Sequence, residues 1–442
     1  MYIFRLLGRL SSFQIIVLSF VFLIVSGALL LMTPWATQSG QGATPMAALF
    51  TAVSASCVTG LTVVDTASYW SHFGQFVILL LIQIGGLGVV TMAVAITMGA
   101  GLHVSLMQRS TMQDAISAQQ IGGIVRLLRF ILKFTAGIEL LGACLLLPVF
   151  VRGYGWAQGS WMALFHSISA FCNAGFDLMG PRGGSLMAYA ADPLVNLTIM
   201  GLIVAGGLGF LTWADLSVNH FHWRKWSLQT HIIMGMTIVL IFVPAVIFYT
   251  QETMGSSAGM HFWQSLFQSV TTRTAGFNTM DIEDLSEGSR YVMIILMLTG
   301  GAPGSTAGGI KTTTAFTLFM AMIAVLRMRG DVECSARRIP METVHQALAI
   351  FMMYLFLFFG VSICIGFVDH VPMIDAMVEV SSALGTVGLS IGLTENLCPF
   401  SKCLLMFLMY FGRVGALTMI YALHSRRKAA PCRLPAGKIT VG

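Results

Sequence analysis

Charge is scarce in this sequence: charged residues make up 10% of its 442 positions and hydrophobic residues 56%. A soluble domain has roughly 25% and 45 to 50%, so a water-soluble fold is excluded. Catalytic signatures are lacking as well. The ten histidines form no H-E-x-x-H, and no pair of acids sits on a soluble scaffold. No G-x-G-x-x-G follows an expected strand, which excludes a dinucleotide fold within this chain. The eight cysteines lack metal-ligand spacing and read as free thiols. No helix carries the stripe of carboxylates that a divalent-ion path would need. No small-residue cleavage site follows the first apolar run, so its "RLLGRL" flank reads as that of a retained start-transfer helix.

What is present is apolar length. Runs at 13 to 34, 74 to 99, 127 to 151, 194 to 214, 229 to 250, 290 to 326, 345 to 368 and 403 to 424 each match or exceed the roughly 20 residues that cross a hydrocarbon core. About eight spans in a lipid bilayer follow. Arg5, Arg9, Arg109, Arg126, Arg129, Lys133, Arg224, Lys225, Arg327, Arg329, Arg337, Arg338, Arg426, Arg427, Lys428, Arg433 and Lys438 lie at the ends or in alternate connections. Cytoplasmic loops carry such an excess, so both termini are expected inside. The opposite connections hold Asp65, Asp177, Asp192, Glu252, Asp281, Glu283, Asp284, Glu287, Asp369, Asp375 and Glu395, an acidic outer face that concentrates cations. The net charge of +6 thus reflects topology and does not signal nucleic acid.

The outer connections repeat. "FTAVSASCVTGL" (50 to 61), "FHSISAFCNAGF" (165 to 176), "FQSVTTRTAGFN" (267 to 278) and "VEVSSALGTVGL" (378 to 389) are each an amphipathic, Ser/Thr-rich stretch running into a glycine and a bulky apolar residue. The third copy is one residue shorter before its glycine. The chain therefore reads as four copies of span, half-helix, glycine turn and span: 10–102, 124–220, 227–327 and 342–425, followed by a tail at 426–442. The second span of each copy holds a small-residue knot: "GGLG" at 85 to 88, "GGLG" at 206 to 209, "GAPG" at 301 to 304 and "GRVG" at 412 to 415. Close helix packing alone also favours such glycines.

Irregular backbone at membrane depth is tolerated only when buried in protein or lining a wet cavity. The four turns are therefore expected to meet around one axis, where their carbonyls replace the hydration shell of a cation. The strips are Val58-Thr59-Gly60, Asn173-Ala174-Gly175, Thr274-Ala275-Gly276 and Thr386-Val387-Gly388. An all-α polytopic membrane protein with a pseudo-fourfold single pore is the fold class. One glycine per quarter suggests a monovalent cation, and composition does not rank K+ against Na+. The run from 290 to 326 is nearly twice the length of one crossing. Gly300, Gly301, Pro303, Gly304, Gly308 and Gly309 must break it, leaving a polar loop at 300–314 that projects into the pore below the strips. A phosphate loop is the competing reading of the same letters, but Ile310 intrudes between Gly309 and Lys311 and no soluble strand precedes it.

Together with "QIGGLGVVTM", "SVTTRTAGFNTMD", "GGAPGSTAGGIKTTT", "FGRVGALT" and the terminal "LPAGKITVG", these segments resemble the Trk/Ktr/HKT superfamily of potassium transporters, and most closely the membrane subunits of bacterial Ktr systems. The resemblance covers the chain from about residue 10 to its end. It implies K+ uptake in a bacterial plasma membrane, with the strips as selectivity filter and the loop, including Ser305, Thr306 and Lys311, as a gate. It further implies a homodimer, with the tail in its interface, seated on a cytoplasmic KtrA-type (RCK) ring that binds nucleotides. That ring would meet the basic loops near 103 to 126, 220 to 226 and 327 to 342. Sodium dependence is common in the family, yet no residue here establishes it, and no cofactor is expected on this chain.

Arg413 stands in the second place of the fourth knot, in register with Gly86, Gly207 and Ala302. An arginine this deep costs at least about 2.5 kcal/mol, and it is expected to place a fixed positive charge in the cation path and to hold the loop's oxygens. Lys311 either adds a second charge or turns to cytoplasmic water. Arg273, just before the third strip, is expected to pair with an acid such as Asp281 or Glu379, or to form a rim salt bridge. Glu139 is expected to be tied to a polar group of a neighbouring helix. Outside the channel-like reading stand an alternating-access carrier, which usually shows two inverted repeats, and an intramembrane enzyme.

Overall fold

The computed structural model describes residues 11–101, 104–116, 123–180, 184–220, 222–255, 262–335 and 337–423. The tail at 426–442 and parts of the basic loops near 103 to 126 and 220 to 226 lie outside the described residues. Seven cysteines are free among the described residues.

Four long apolar helices form the outer layer: α1 (Ser12–Leu31), the first part of α6 (Ile124–Phe171), α9 (Leu228–Gly255) and α13 (Met341–Val368). Among the described residues these are the helices long and apolar enough to cross a membrane unbroken. Their outward faces expose Phe22, Leu29, Leu140, Phe242, Val246, Phe356 and Phe367, which only lipid can cover at low cost. Local chemistry starts the chain correctly. At α1 the Ser11 hydroxyl and the Gln14 side chain form a reciprocal capping box.

Inside this layer come four short helices: α2 (Pro45–Ser56), the end of α6, α10 (Phe262–Thr271) and α14 (Met373–Gly385). In the second copy the outer and short helices run together, separated by Gly155 at φ +78°. A second set of helices follows each short one: α3 (His72–Leu87) with α4 (Val89–Gly99), α7 (Pro193–Gly207) with α8 (Phe210–Asn219), α11 (Glu287–Leu298) with α12 (Thr312–Leu326), and α15 (Pro399–Val414) with α16 (Ala416–Leu423). Between α4 and α6 lies a further helix, α5 (Leu106–Ile116). Proline at the first turn and a side-chain N-cap open α2, α7 and α15.

The packing closes on itself. Each inner helix touches the short helix of the next copy: α3 meets α6, α7 meets α10, α11 meets α14, and α15 meets α2. The first helix also joins the last two, Tyr410 of α15 donating to the Val17 carbonyl at 2.8 Å and Gln14 donating to the carbonyl of Ala422 in α16 at 3.2 Å.

The chain departs from the sequence reading in two places. The runs at 74 to 99, 194 to 214 and 403 to 424 are not straight spans; they bend by 99°, 95° and 93°. The hinge is the last glycine of each knot, with φ of +88° at Gly88, +87° at Gly209 and +89° at Gly415. These are angles that side-chain-bearing residues rarely adopt. The otherwise helical chain also holds one antiparallel hairpin in the basic 327 to 342 loop: β1 (Val332–Cys334) pairs with β2 (Arg337–Ile339).

Candidate functional site

Each short helix ends in a strip of irregular backbone. Its first residue is left-handed in all four copies, with φ +57° at Val58, +59° at Asn173, +68° at Thr274 and +52° at Thr386. The helix end holds the strip from behind: the N–H groups of Thr59, Ala174 and Val387 donate to the carbonyls of Ser54, Ser169 and Ser382, each at 2.8 Å. In the third copy Ala275 reaches back only four residues, to Thr271 at 2.9 Å, so the missing residue is absorbed in the turn and the strip keeps its place. The same four residues also use their hydroxyls. Ser54 accepts from Gly60 N at 3.1 Å and Ser382 from Gly388 N at 3.0 Å, while Ser169 and Thr271 donate to the carbonyls of Phe176 and Phe277, both at 2.7 Å. The sequence showed the Ser/Thr enrichment but not these roles. The signal was a hydroxyl five residues before the middle of the strip, four in the short copy.

The four strips form a ring. A Cβ placed on Gly60 would lie 2.5 Å from the Ala174 carbonyl oxygen, and one on Gly175 would lie 2.7 Å from that of Ala275. On Gly276 and Gly388 it would collide with the carbonyl oxygens of Val387 and Thr59. The contacts run one, two, three, four and back to one, so each glycine is required by its neighbour's backbone. Thr59 and Thr386 bury hydroxyls that find no protein partner among the described residues, which suits a path where water or a cation supplies the missing contact.

Beneath the ring lies the loop between α11 and α12. Gly300 and Ile310 close its neck, Gly300 N donating to Ile310 O at 2.9 Å and Ile310 N to Leu298 O at 3.1 Å. Ala302 N donates to Gly207 O at 2.9 Å, Phe210 N to Gly304 O at 2.9 Å, and the Ser305 hydroxyl to Ala302 O at 2.6 Å. Gly304 and Gly309 take φ of +65° and +69°. Gly308 presses so close to Thr386 of the fourth strip that a Cβ there would meet the threonine side chain.

Arg413 extends into this assembly. Its guanidinium donates to the carbonyls of Thr306 and Gly85, and to that of Gly86 at 2.8 Å. No carboxylate pairs with it among the described residues, so carbonyl dipoles satisfy its hydrogen bonds while its full charge remains. Lys311 folds back on the loop, donating to Ala307 O at 2.7 Å. Both line a cavity of about 230 Å³ below the loop, together with Asp114 and Pro303.

The remaining positions sort as follows. The first glycines of three knots pack under the helix ends, because a Cβ on Gly85, Gly206 or Gly412 would strike the carbonyl of Ser56, Phe171 or Leu384. Close packing thus explains those glycines, and the bend explains the last ones. Arg273 is buried but pairs with neither Asp281 nor Glu379, correcting the expected ion pair. Glu379 is already occupied: Ser390 and Thr394 donate to it at 2.5 Å and Ile391 N at 3.2 Å. Glu139 accepts from Gln83 of α3 at 3.2 Å. In the outer connection, burial pushes the Asp177 carboxyl up to about 6, and the nearby Asp65 charge adds to this against the pull of the Met179 N–H.

Comparison with known proteins identifies this arrangement. The family model described as TrkH, a cation transport protein, matches residues 9–428. The chain belongs to this TrkH cation transport family. Within the Trk/Ktr group it is 37% identical to the Ktr system potassium uptake protein B of Bacillus subtilis, over 98% of this chain and 97% of that one. It is 36% identical to the potassium/sodium uptake protein NtpJ of Enterococcus hirae, over 99% of both. The crystal structure of the potassium transporter TrkH from Vibrio parahaemolyticus shares the fold, with TM-score 0.72 and 19% identity over 94% of this chain and 86% of that one. The chain is therefore a Ktr/Trk-type membrane cation transporter, and the family is not one of enzymes.

Proposed function

We propose that this Ktr/Trk-type transporter is the ion-translocating subunit of a potassium uptake system, drawing K+ through the ring of strips Val58–Gly60, 173–175, 274–276 and 386–388. The observation that carries the reading is the closed glycine ring, in which each strip abuts the carbonyl of the next. Such carbonyls replace the hydration shell of a desolvated cation. The loop at 300–314 acts as the gate. Arg413 holds it under the ring and sets an electrostatic barrier, since its charge has no acidic partner among the described residues.

The Ktr names of two relatives support a system with a further subunit, here a cytoplasmic KtrA-type nucleotide-binding ring beneath a homodimer. The basic bias of alternate loops supports cytoplasmic termini in a bacterial plasma membrane. Na+ dependence belongs to the same proposal. A second reading, uptake of both K+ and Na+, is favoured by the potassium/sodium name of the Enterococcus hirae relative.

The test is growth and Rb+ uptake in bacterial cells lacking their own potassium transporters. The chain is expected to restore both, and Gly60→Ser, Gly175→Ser, Gly276→Ser and Gly388→Ser each to lower uptake or K+ over Na+ discrimination at least tenfold, equal to about 1.4 kcal/mol. Arg413→Ala is expected to raise uptake. Wild-type kinetics in all five variants at equal expression would exclude the filter and gate.

A further inference from the structure

We propose that Thr306 couples the gate to the filter, so that the residue Arg413 holds in place also sets how the second strip discriminates among monovalent cations. This rests on the filter and gate reading above. Thr306 is 1% exposed, and every polar atom it has is engaged. Its N–H donates to Gly206 O at 3.3 Å, its carbonyl accepts from Arg413, and its hydroxyl donates to Phe171 O at 3.1 Å. Phe171 ends the short helix of the second copy, two residues before the strip.

The hydroxyl also lies 3.5 Å from the side-chain amide of Asn173, the first residue of that strip. The amide is itself a junction. Oriented so that both of its ends are satisfied, its oxygen accepts from the Thr274 hydroxyl of the third strip at 3.1 Å, and its nitrogen donates to Ala170 O, Phe171 O and Ile203 O at 3.2 to 3.3 Å. Thr306 and Asn173 thus share the Phe171 carbonyl as acceptor. Gly206 closes the pocket around them: a Cβ there would lie 2.7 Å from the Thr306 hydroxyl and 2.9 Å from the Asn173 side chain.

The coupling is asymmetric. The first and fourth strips have their glycine N–H groups held by serines of their own copies, Ser54 and Ser382. In the second copy the corresponding Ser169 instead holds Phe176 O, beyond the glycine. The lower end of that strip is therefore braced by Asn173 and, through Phe171, by the gate. The fourth strip meets the loop where Gly308 lies against Thr386. Withdrawing the loop breaks the Thr306 to Phe171 bond, leaves the Asn173 amide with one neighbour fewer, and loosens one quarter of the ring. A loosened ring fits the larger ion less selectively, so Na+ competes better with K+.

The test is the ratio of Na+ to Rb+ uptake in cells devoid of other potassium transporters, a quantity that does not depend on how many copies reach the membrane. Thr306→Val keeps the shape and both backbone bonds but removes the hydroxyl, and is expected to raise the ratio several-fold. Thr306→Ser is expected to restore it. Asn173→Ala is expected to shift it in the same direction, and the double variant to add little to either single change, as for two members of one unit. If Thr306→Val does not assemble, Thr306→Ala removes the same hydroxyl, and a wild-type ratio there overturns the coupling. A wild-type ratio in Thr306→Val, or in Asn173→Ala, overturns the coupling while leaving the filter reading intact. The filter reading fails instead if the four glycine variants and Arg413→Ala keep wild-type kinetics.

Discussion

Asp177 makes the charge of the outer connection depend on pH. Burial first, then the Asp65 charge, holds its carboxyl near 6 against an ordinary value of 3.8. Because the folded value is raised, the folded protein binds the proton more tightly, and stability falls as pH rises from about 4 through 6. In the folded protein the negative charge itself appears around pH 6, and a negative charge at the outer mouth would concentrate cations. Uptake from dilute K+ is therefore expected to weaken as external pH drops from 7.5 to 5.5, mainly through a higher KM, and Asp177→Asn to flatten that profile. An unchanged pH profile in the variant would remove Asp177 from the entry path. The sequence places this acid in an outer connection, and the glycines Gly60, Gly175, Gly276 and Gly388 are legible because they recur at the ends of four similar Ser/Thr-rich stretches; that a side chain there would meet a neighbour's carbonyl is not. Arg273 was misread: charge pattern suggests a partner acid, but Glu379 is saturated by hydroxyls that lie 11 and 15 residues further along the chain, and such a fold-dependent contact leaves no mark in local sequence.

At the scale of elements, the bent inner helices carry the lesson. Apolar runs at 74 to 99, 194 to 214 and 403 to 424 have the length of single crossings, and length was read as straightness. The bend was written in the last glycine of each knot, which close packing also explains on sequence grounds. Gly415 separates the two causes, since nothing lies within 4 Å of a Cβ there while its φ is +89°. Gly415→Ala is expected to destabilise by roughly 1 to 3 kcal/mol from backbone strain alone. Gly360, inside α13 and equally open, has an ordinary helical backbone, so Gly360→Ala is expected to stabilise by roughly 0.5 to 1 kcal/mol. Thermal unfolding in one detergent compares them; equal shifts would mean that the bend at Gly415 stores no conformational requirement.

For the whole molecule, the decisive feature is cyclic closure. Eight apolar runs and four glycine turns were legible because membrane crossing and turn chemistry are local and periodic. The order in which each inner helix leans on the next copy, α15 returning to α2, was not, because tertiary neighbours across hundreds of residues follow from packing. Closure matters because it packs four unlike strips against one another as one ring, so that their irregular backbone is buried in protein instead of facing lipid. The most direct measurement is the anomalous signal of Tl+, a K+ mimic, in an experimental map of the protein. The account predicts a peak on the axis enclosed by Gly60, Gly175, Gly276 and Gly388, lost on exchange into excess K+. Strips that stand apart, or Tl+ bound elsewhere in protein that still takes up Rb+, would contradict it.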